Sequence, residues 1–212
     1  GGKWGTCVPS GTYRCMVTTD AMSTPERILR SALSLFSAKG YDATSVREIC
    51  ADSGITKPTL YHFYGAKEGV YRALVDGALD GMRMDITRAL EEDGSLADRL
   101  RRLTLTYFEA TRREPDLARF ILALVHGPPS SAPHTDLLAF YDDILAQVAR
   151  VMAMAEERGE VSPGPADVRL LVLMGAIGEA VHGYLLVGRP ELTPALADTL
   201  IDVVLNGWTD PS

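Results

Sequence analysis

Residues 44–67 read TSVREICADSGITKPTLYHFYGAK, and no other stretch so narrows what this chain can become. Ser45-Val46-Arg47-Glu48 fits a capping box, in which a serine hydroxyl and a glutamate carboxylate satisfy orphan N–H groups at a helix start. Val46, Ile49 and Cys50 then share one face at i, i+3, i+4, which predicts a short amphipathic helix. Gly54 supplies the positive φ of a tight helix-to-helix turn, and Ile55 plugs the corner. Thr56 can cap a second short helix with Pro58 in its first turn, where a missing N–H costs nothing.

In that second helix the spacing turns Leu60 and Phe63 inward and leaves Lys57, Thr59, Tyr61 and His62 outside. Small, hydroxylated, aromatic and basic groups make a poor core face and a good surface for the edge of a DNA duplex. Two short helices joined by a glycine turn form a helix-turn-helix unit, whose second helix enters the major groove. Upstream, Thr24-Pro25 predicts a cap and first-turn proline for a helix carrying Ile28, Ala32, Leu35 and Phe36, which stops at Lys39-Gly40. Three helices with Ile28, Leu35, Phe36, Val46, Ile49, Leu60 and Phe63 inward close a core of about 45 residues, near the lower limit for an independent domain. Such a unit leans on the larger C-terminal part of the chain.

The run from Arg27 to Leu74 resembles the N-terminal DNA-binding domain of the tetracycline-repressor (TetR) family of bacterial regulators. The resemblance is carried by ILRSALSLFSAKGYDATSVREIC, the turn SGITKPTLYHFY, and AKEGVYRAL opening a long helix, and spans about 50 of 212 residues. It implies that Thr56, Lys57, Pro58, Thr59, Tyr61 and His62 lie along the recognition helix, and that Thr44, Ser45 and Lys67 grip phosphates. Hydroxyls, helix-start N–H groups and a lysine suit phosphate oxygens. Thr59 and Pro58 suit a thymine methyl and Lys57 suits guanine acceptors. The expected split gives Lys57, Pro58, Thr59 and His62 to bases, and Tyr61, Lys67, Thr44 and Ser45 to the backbone. The resemblance further implies a homodimer on a palindromic double-stranded operator, most simply a repressor released by a small-molecule effector, in a bacterial cytoplasm.

Net charge is −7 but unevenly spread. Residues 24–72 hold seven Lys/Arg against five Asp/Glu, while residues 73–212 hold twelve against twenty-two. A mildly cationic head on an acidic body orients a protein on DNA and gives salt-sensitive binding. No apolar run reaches the ~20 residues of a membrane span. Residues 170–187 come closest, and Glu179 and His182 interrupt them. Cys7, Cys15 and Cys50 form neither an even framework nor a metal-ligand pattern, which suits a reducing compartment. Residues 1–23 show no helical period and read as a flexible arm or a start-site artefact, with Met16 or Met22 as alternative starts.

The organisation expected is all-α, about nine helices: the arm 1–23, a helix-turn-helix domain 24–70, and a larger ligand-binding and dimerisation domain 71–212. The body reads as six helices, 67–92, 96–113, 116–126, 135–158, 166–187 and 193–208. The proline loop 127–133 makes the clearest break. On 135–158 the inward stripe is Leu138, Tyr141, Ile144, Leu145, Val148 and Met152. The last two helices are the dimerisation candidates, through Leu170, Met174, Ile177, Val181, Leu196, Leu200, Val203 and Val204. A sensor cavity is expected from Tyr107, Phe108, Phe120, Leu124, Phe140, Tyr141 and Met174, with His126, Glu179 and His182 as polar fixtures. An apolar or aromatic effector is expected from the scarcity of convergent charge. Glu179-x-x-His182 has the spacing of di-iron bundles but lacks a second copy, and no catalytic or phosphate-loop motif is present. The expectation is therefore a non-enzyme without cofactor or metal. The alternatives are a helical interaction protein that has lost DNA binding and a metal-dependent bundle enzyme.

Overall fold

The computed structural model describes residues 22–126 and 131–206. Among these the chain forms nine helices and no strand, namely α1 Thr24–Lys39, α2 Val46–Ser53, α3 Lys57–Tyr64, α4 Lys67–Glu91, α5 Leu96–Arg113, α6 Pro115–His126, α7 Leu137–Glu157, α8 Ala166–Val187 and α9 Pro194–Asn206. The arm 1–21, the loop residues 127–130 and Trp208 lie outside the described residues.

Helix starts are set by local chemistry. Ser23, rather than Thr24, caps α1, because Glu26 three residues on completes a reciprocal box with it. Ser45 and Glu48 close the same box at α2, and Thr56 accepts from Thr59 N at α3. Gly54 ends α2 at φ 66°, a left-handed conformation that a side chain would strain. Helix α4 starts at Ala66 without a side-chain cap. Its far end is closed by α5: Arg102 donates to Ala89 O at 3.0 Å and Glu92 O at 2.6 Å, and Arg99 to Leu90 O. Those side chains satisfy orphan carbonyls and place cations at the negative end of the helix dipole.

Two main cores form. The first joins α1–α4 through Ile28, Phe36, Ile49, Leu60, Val70, Tyr71 and Leu74, and it also takes Phe120 from α6. Phe120 stacks on Phe36 at 6.3 Å and meets Tyr71 edge-on at 6.0 Å, so the small head is completed by a body residue. The second core lies among α4, α5, α7, α8 and α9, around Leu100, Leu103, Ile144, Val148, Leu173, Ile177 and Ile201. A smaller cluster places Phe108 against Ala180, Leu192 and Ala197.

Three expectations are corrected. Phe63 is 44% exposed, because the second inward slot of α3 is taken one residue later by Tyr64, whose hydroxyl donates to Pro25 O at 3.1 Å. On α7, Ile144, Val148 and Met152 are buried, but Leu138 is 77% exposed and Tyr141 about half exposed. At its start the helix packs through Leu137 and Phe140 instead, so its inward side is rotated from the expected stripe. Finally, the 22-residue α8 is long and apolar enough to cross a membrane by length and composition. One side of it is buried, Leu173 and Ile177 in the body core and Ala180 in the smaller cluster, while its other side is exposed.

Candidate nucleic-acid interface

The interface is built on α2 and α3. In α2 the Ser45 hydroxyl donates to Glu48 Oε2 at 2.8 Å, and Glu48 Oε2 also accepts from Ser45 N at 2.9 Å. Lys39 on α1 pairs with the same carboxylate. The Lys39 bond first, then the Ser45 bonds, hold the Glu48 carboxyl down at about 2. Ser31 on α1 donates to Asp52 near the other end of α2. Two cross-links therefore set the angle of α2 against α1, and α2 in turn positions the glycine corner.

From that corner α3 projects with Leu60 fully buried beneath it. Lys57, Pro58, Tyr61 and His62 are exposed on its outer side, Tyr61 at 47%, and Thr59 is half-buried. The Thr56 and Thr59 hydroxyls lie 2.9 Å apart and pair with each other. Lys57 makes no ion pair among the described residues, so its ammonium is available to a partner. His62 packs edge-on against Phe63 at 5.2 Å. Two further groups share the surface that sequence spacing did not assign to it. Phe63 is one. Arg47, exposed on the first turn of α2 without an ion pair among the described residues, is the other. Its signal was the outward position of a cation within the capping box.

Two expected phosphate contacts are turned inward. Thr44 is 1% exposed, and its hydroxyl donates to Gly40 O at 2.8 Å. The Lys67 ammonium donates to Tyr41 O and Thr44 O, both at 3.0 Å, and lies 4.0 Å from the centre of the Tyr41 ring. A backbone turn offering two carbonyl oxygens, of which Tyr41 O also accepts from Thr44 N at 3.2 Å, and an aromatic face hold the ammonium that spacing alone assigned to DNA. Burial, then the neighbouring Glu68, pushes the Tyr41 hydroxyl up to about 12.

The expected sensor residues are divided among the three clusters. Phe120 and Leu124 pack with the head core, and Phe108 belongs to the small cluster beside Leu192. Tyr107 and Met174 face the body core, while Phe140 packs against both cores beneath Arg83. Tyr141 and Glu179 are exposed, and His182 is half-buried with its Nδ1 4.0 Å from a Glu179 oxygen. The His126 side chain lies outside the described residues. A hollow of about 610 Å³ does exist, but on the outside of α4, lined by Arg83, Met84, Thr87, Arg88, Glu91 and Glu92. No residue of the expected sensor set lines it. Among the described residues no three His, Cys, Asp or Glu side chains group as a metal site.

The expected dimerisation set divides in the same way. Met174, Ile177 and Val204 sit in the protomer's own core, Leu170, Val181, Leu196 and Leu200 are half-buried, and Val203 is exposed. Helix α8 instead turns Leu171, Val172, Leu186 and Val187 outward, Leu171 at 73% exposure. A helix apolar all round gives no sequence signal for which side the core takes.

Residues 28–74 match the family model described as bacterial regulatory proteins, tetR family. The chain is 24% identical over 149 residues to the uncharacterized HTH-type transcriptional regulator YezE of Bacillus subtilis, covering 68% of this chain and 76% of that one. It is 38% identical over 55 residues to the biofilm operon icaADBC HTH-type negative transcriptional regulator IcaR of Staphylococcus epidermidis, which covers 26% of this chain and 30% of that one. Its fold is shared with the crystal structure of the transcriptional regulator FadR from Bacillus subtilis in complex with stearoyl-CoA, at TM-score 0.67 and 17% identity, over 86% of this chain and 98% of that one. The helix-turn-helix geometry and the matched residues agree: residues 28–74 carry the N-terminal domain of the tetR family of bacterial regulatory proteins.

Proposed function

We propose that this protein is a ligand-responsive repressor that binds a palindromic operator as a homodimer. The observation that carries the reading is the outer side of α3, where Lys57, without an ion pair among the described residues, stands with Tyr61 and His62 over the fully buried Leu60. A rigid helix presenting a cation, a phenol and an imidazole away from its own core suits base edges and phosphates. Lys57, Pro58, Thr59 and His62 read bases. Tyr61, Ser45 and Arg47 hold the backbone, and the Thr56 cap keeps α3 in place. Residues 24–70 form the reading head, residues 71–212 the sensing and pairing body, and the protein works in the bacterial cytoplasm.

A second copy covers the outward apolar side of α8, where Leu171, Val172, Leu186 and Val187 lie exposed. Pairing is required mechanically, since two heads must meet half-sites about one helical turn apart. The effector is an apolar organic molecule that opens the packing among α5, α7 and α8. The stearoyl-CoA bound to FadR makes acyl chains the first class to try. Release requires that the effector bind the DNA-incompetent arrangement better, since equal affinity for both would change nothing.

The test is selection of bound fragments from a random or genomic DNA pool at several salt concentrations. An enriched inverted repeat whose affinity falls steeply with salt supports the reading. A pool left unenriched at every salt concentration, with and without acyl-CoA, overturns it.

A further inference from the structure

Helix α4 is held at both ends by cations lying on carbonyls. At the body end the cations are Arg99 and Arg102 of α5. At the head end the helix supplies its own, because Lys67, its first residue, folds back onto the turn between α1 and α2. An ammonium has three donors. Two are used on Tyr41 O and Thr44 O, and the charge rests against the Tyr41 ring.

The turn so gripped is itself closed in. Tyr41 is 7% exposed and meets Phe36 at 5.5 Å and Tyr71 at 5.0 Å, and Tyr71 belongs to α4. The Thr44 hydroxyl ties the turn across to Gly40, and the next residue, Ser45, caps α2. One side chain thus links the start of α4 to the residue immediately before the reading unit.

We infer that Lys67 is a positioning residue that fixes α2 and α3 to α4, and that it is not a phosphate contact. With Lys67 in place, the head turns as one body with α4, so a shift of α4 reaches α3 without being absorbed at the α1–α2 turn. This role rests on the DNA-binding reading above only for its consequence, the loss of operator affinity. The strut itself is a property of the free protein.

The experiment compares the full chain with Lys67→Met and Lys67→Arg by amide hydrogen exchange without DNA, and by titration with the selected operator across salt concentrations. In Lys67→Met, exchange at residues 44–49 is expected to rise about tenfold or more, the scale of a lost hydrogen bond to a charged group, with α8 and α9 unchanged. Operator affinity is expected to fall by a similar factor while the slope of log affinity against log salt stays that of the parent. Lys67→Arg, which keeps the charge and several donors, is expected to recover much of the protection. It also serves as the control should the methionine variant loosen the whole head. Parental exchange at 44–49 in Lys67→Met together with a salt slope reduced by about one would make Lys67 a phosphate contact and overturn the inference. Equal loosening in both variants would also overturn it. Should the parent protein bind no DNA, the proposed function fails, while the exchange rates at 44–49 still decide the strut.

Discussion

The outer sides of α3 and α8 both leave large apolar groups exposed, Tyr61 and Phe63 on one and Leu171, Val172, Leu186 and Val187 on the other. Their surroundings differ. Helix α3 carries Lys57 and His62, with Arg47 exposed on α2, whereas the exposed or half-buried acidic and basic groups of α8 are Asp167, Glu179 and His182. An aromatic ring set among cations suits a charged, hydrated partner, while a broad aliphatic side with little charge suits a dry one. Exposure by itself does not tell a DNA surface from a protein surface. The company the apolar groups keep does.

The harshest test of that contrast places a charge on the aliphatic side. Leu171→Asp leaves the protomer core alone, since the residue is exposed in the single chain. In a pair related by a two-fold axis it buries an unpaired carboxylate from each copy, at an effective cost of about several kcal/mol per ion. Sedimentation at micromolar concentration should show monomers, and operator affinity should drop to that of one head. An unchanged sedimentation coefficient would remove α8 from the pairing surface.

The next test cuts the joint between the two regions. Phe120→Ala removes the α6 ring seated between Phe36 and Tyr71, and truncating a buried phenylalanine costs about 3–5 kcal/mol. Because that ring belongs to the head core while its helix belongs to the body, the loss should lower the unfolding midpoint. Amides of residues 28–75 should exchange faster than those of α8. Uniform loss of protection across the chain would mean that head and body unfold as one unit.

A smaller effect sharpens the α3 side. Lys57→Ala should cost about 1–3 kcal/mol on the preferred operator and much less on variants altered at the base it reads. Titrating matched and mismatched operators separates base reading from charge. Equal loss on every sequence would move Lys57 to the phosphate backbone.

How much of this was legible in the sequence divides along the same boundary. Head elements were readable because each is specified by its own few residues: one box with reciprocal partners three apart, a glycine with one permitted use, a proline in a first turn. The α1 cap was read one residue late, at Thr24 in place of Ser23. Where two neighbours competed for one slot the reading slipped, as with Phe63 and Tyr64, since i+3 and i+4 are both inward positions. The inward bonds of Lys67 and Thr44 were missed for a different reason. Their partners are carbonyls more than twenty residues away for Lys67 and a turn carbonyl for Thr44, and backbone oxygens carry no sequence signature. The body was legible as helices but not as faces. Helix α8 is apolar around most of its circumference, so the core could have taken Leu171 as readily as Ile177. The packing of α5, α7 and α9 made that choice.

The gentlest test concerns the link between α1 and α2, beneath the DNA side. Glu48 is held near 2 by Lys39 and Ser45, below its ordinary value of about 4.3. A carboxylate depressed in the folded state stabilises above its unfolded pKa, and that contribution is lost as pH falls through the folded one. Stability of the head should therefore decline between about pH 5 and pH 2, as the Glu48 carboxylate is protonated and its bonds to Lys39 and Ser45 weaken. Glu48→Gln should be less stable than the parent at neutral pH, and the gap should close as pH falls toward 2. The body gives the control. Asp98 at the start of α5 is also lowered, by Ser95 first, so Asp98→Asn should show the same convergence without touching operator affinity. Acid titrations tracked by circular dichroism, each paired with operator binding at pH 7, measure both. If Glu48→Gln destabilises the chain yet leaves operator affinity unchanged, the Lys39–Glu48 cross-link stabilises the head without aiming α3. A loss of affinity confined to Glu48→Gln would make the angle of α2 part of how DNA is read.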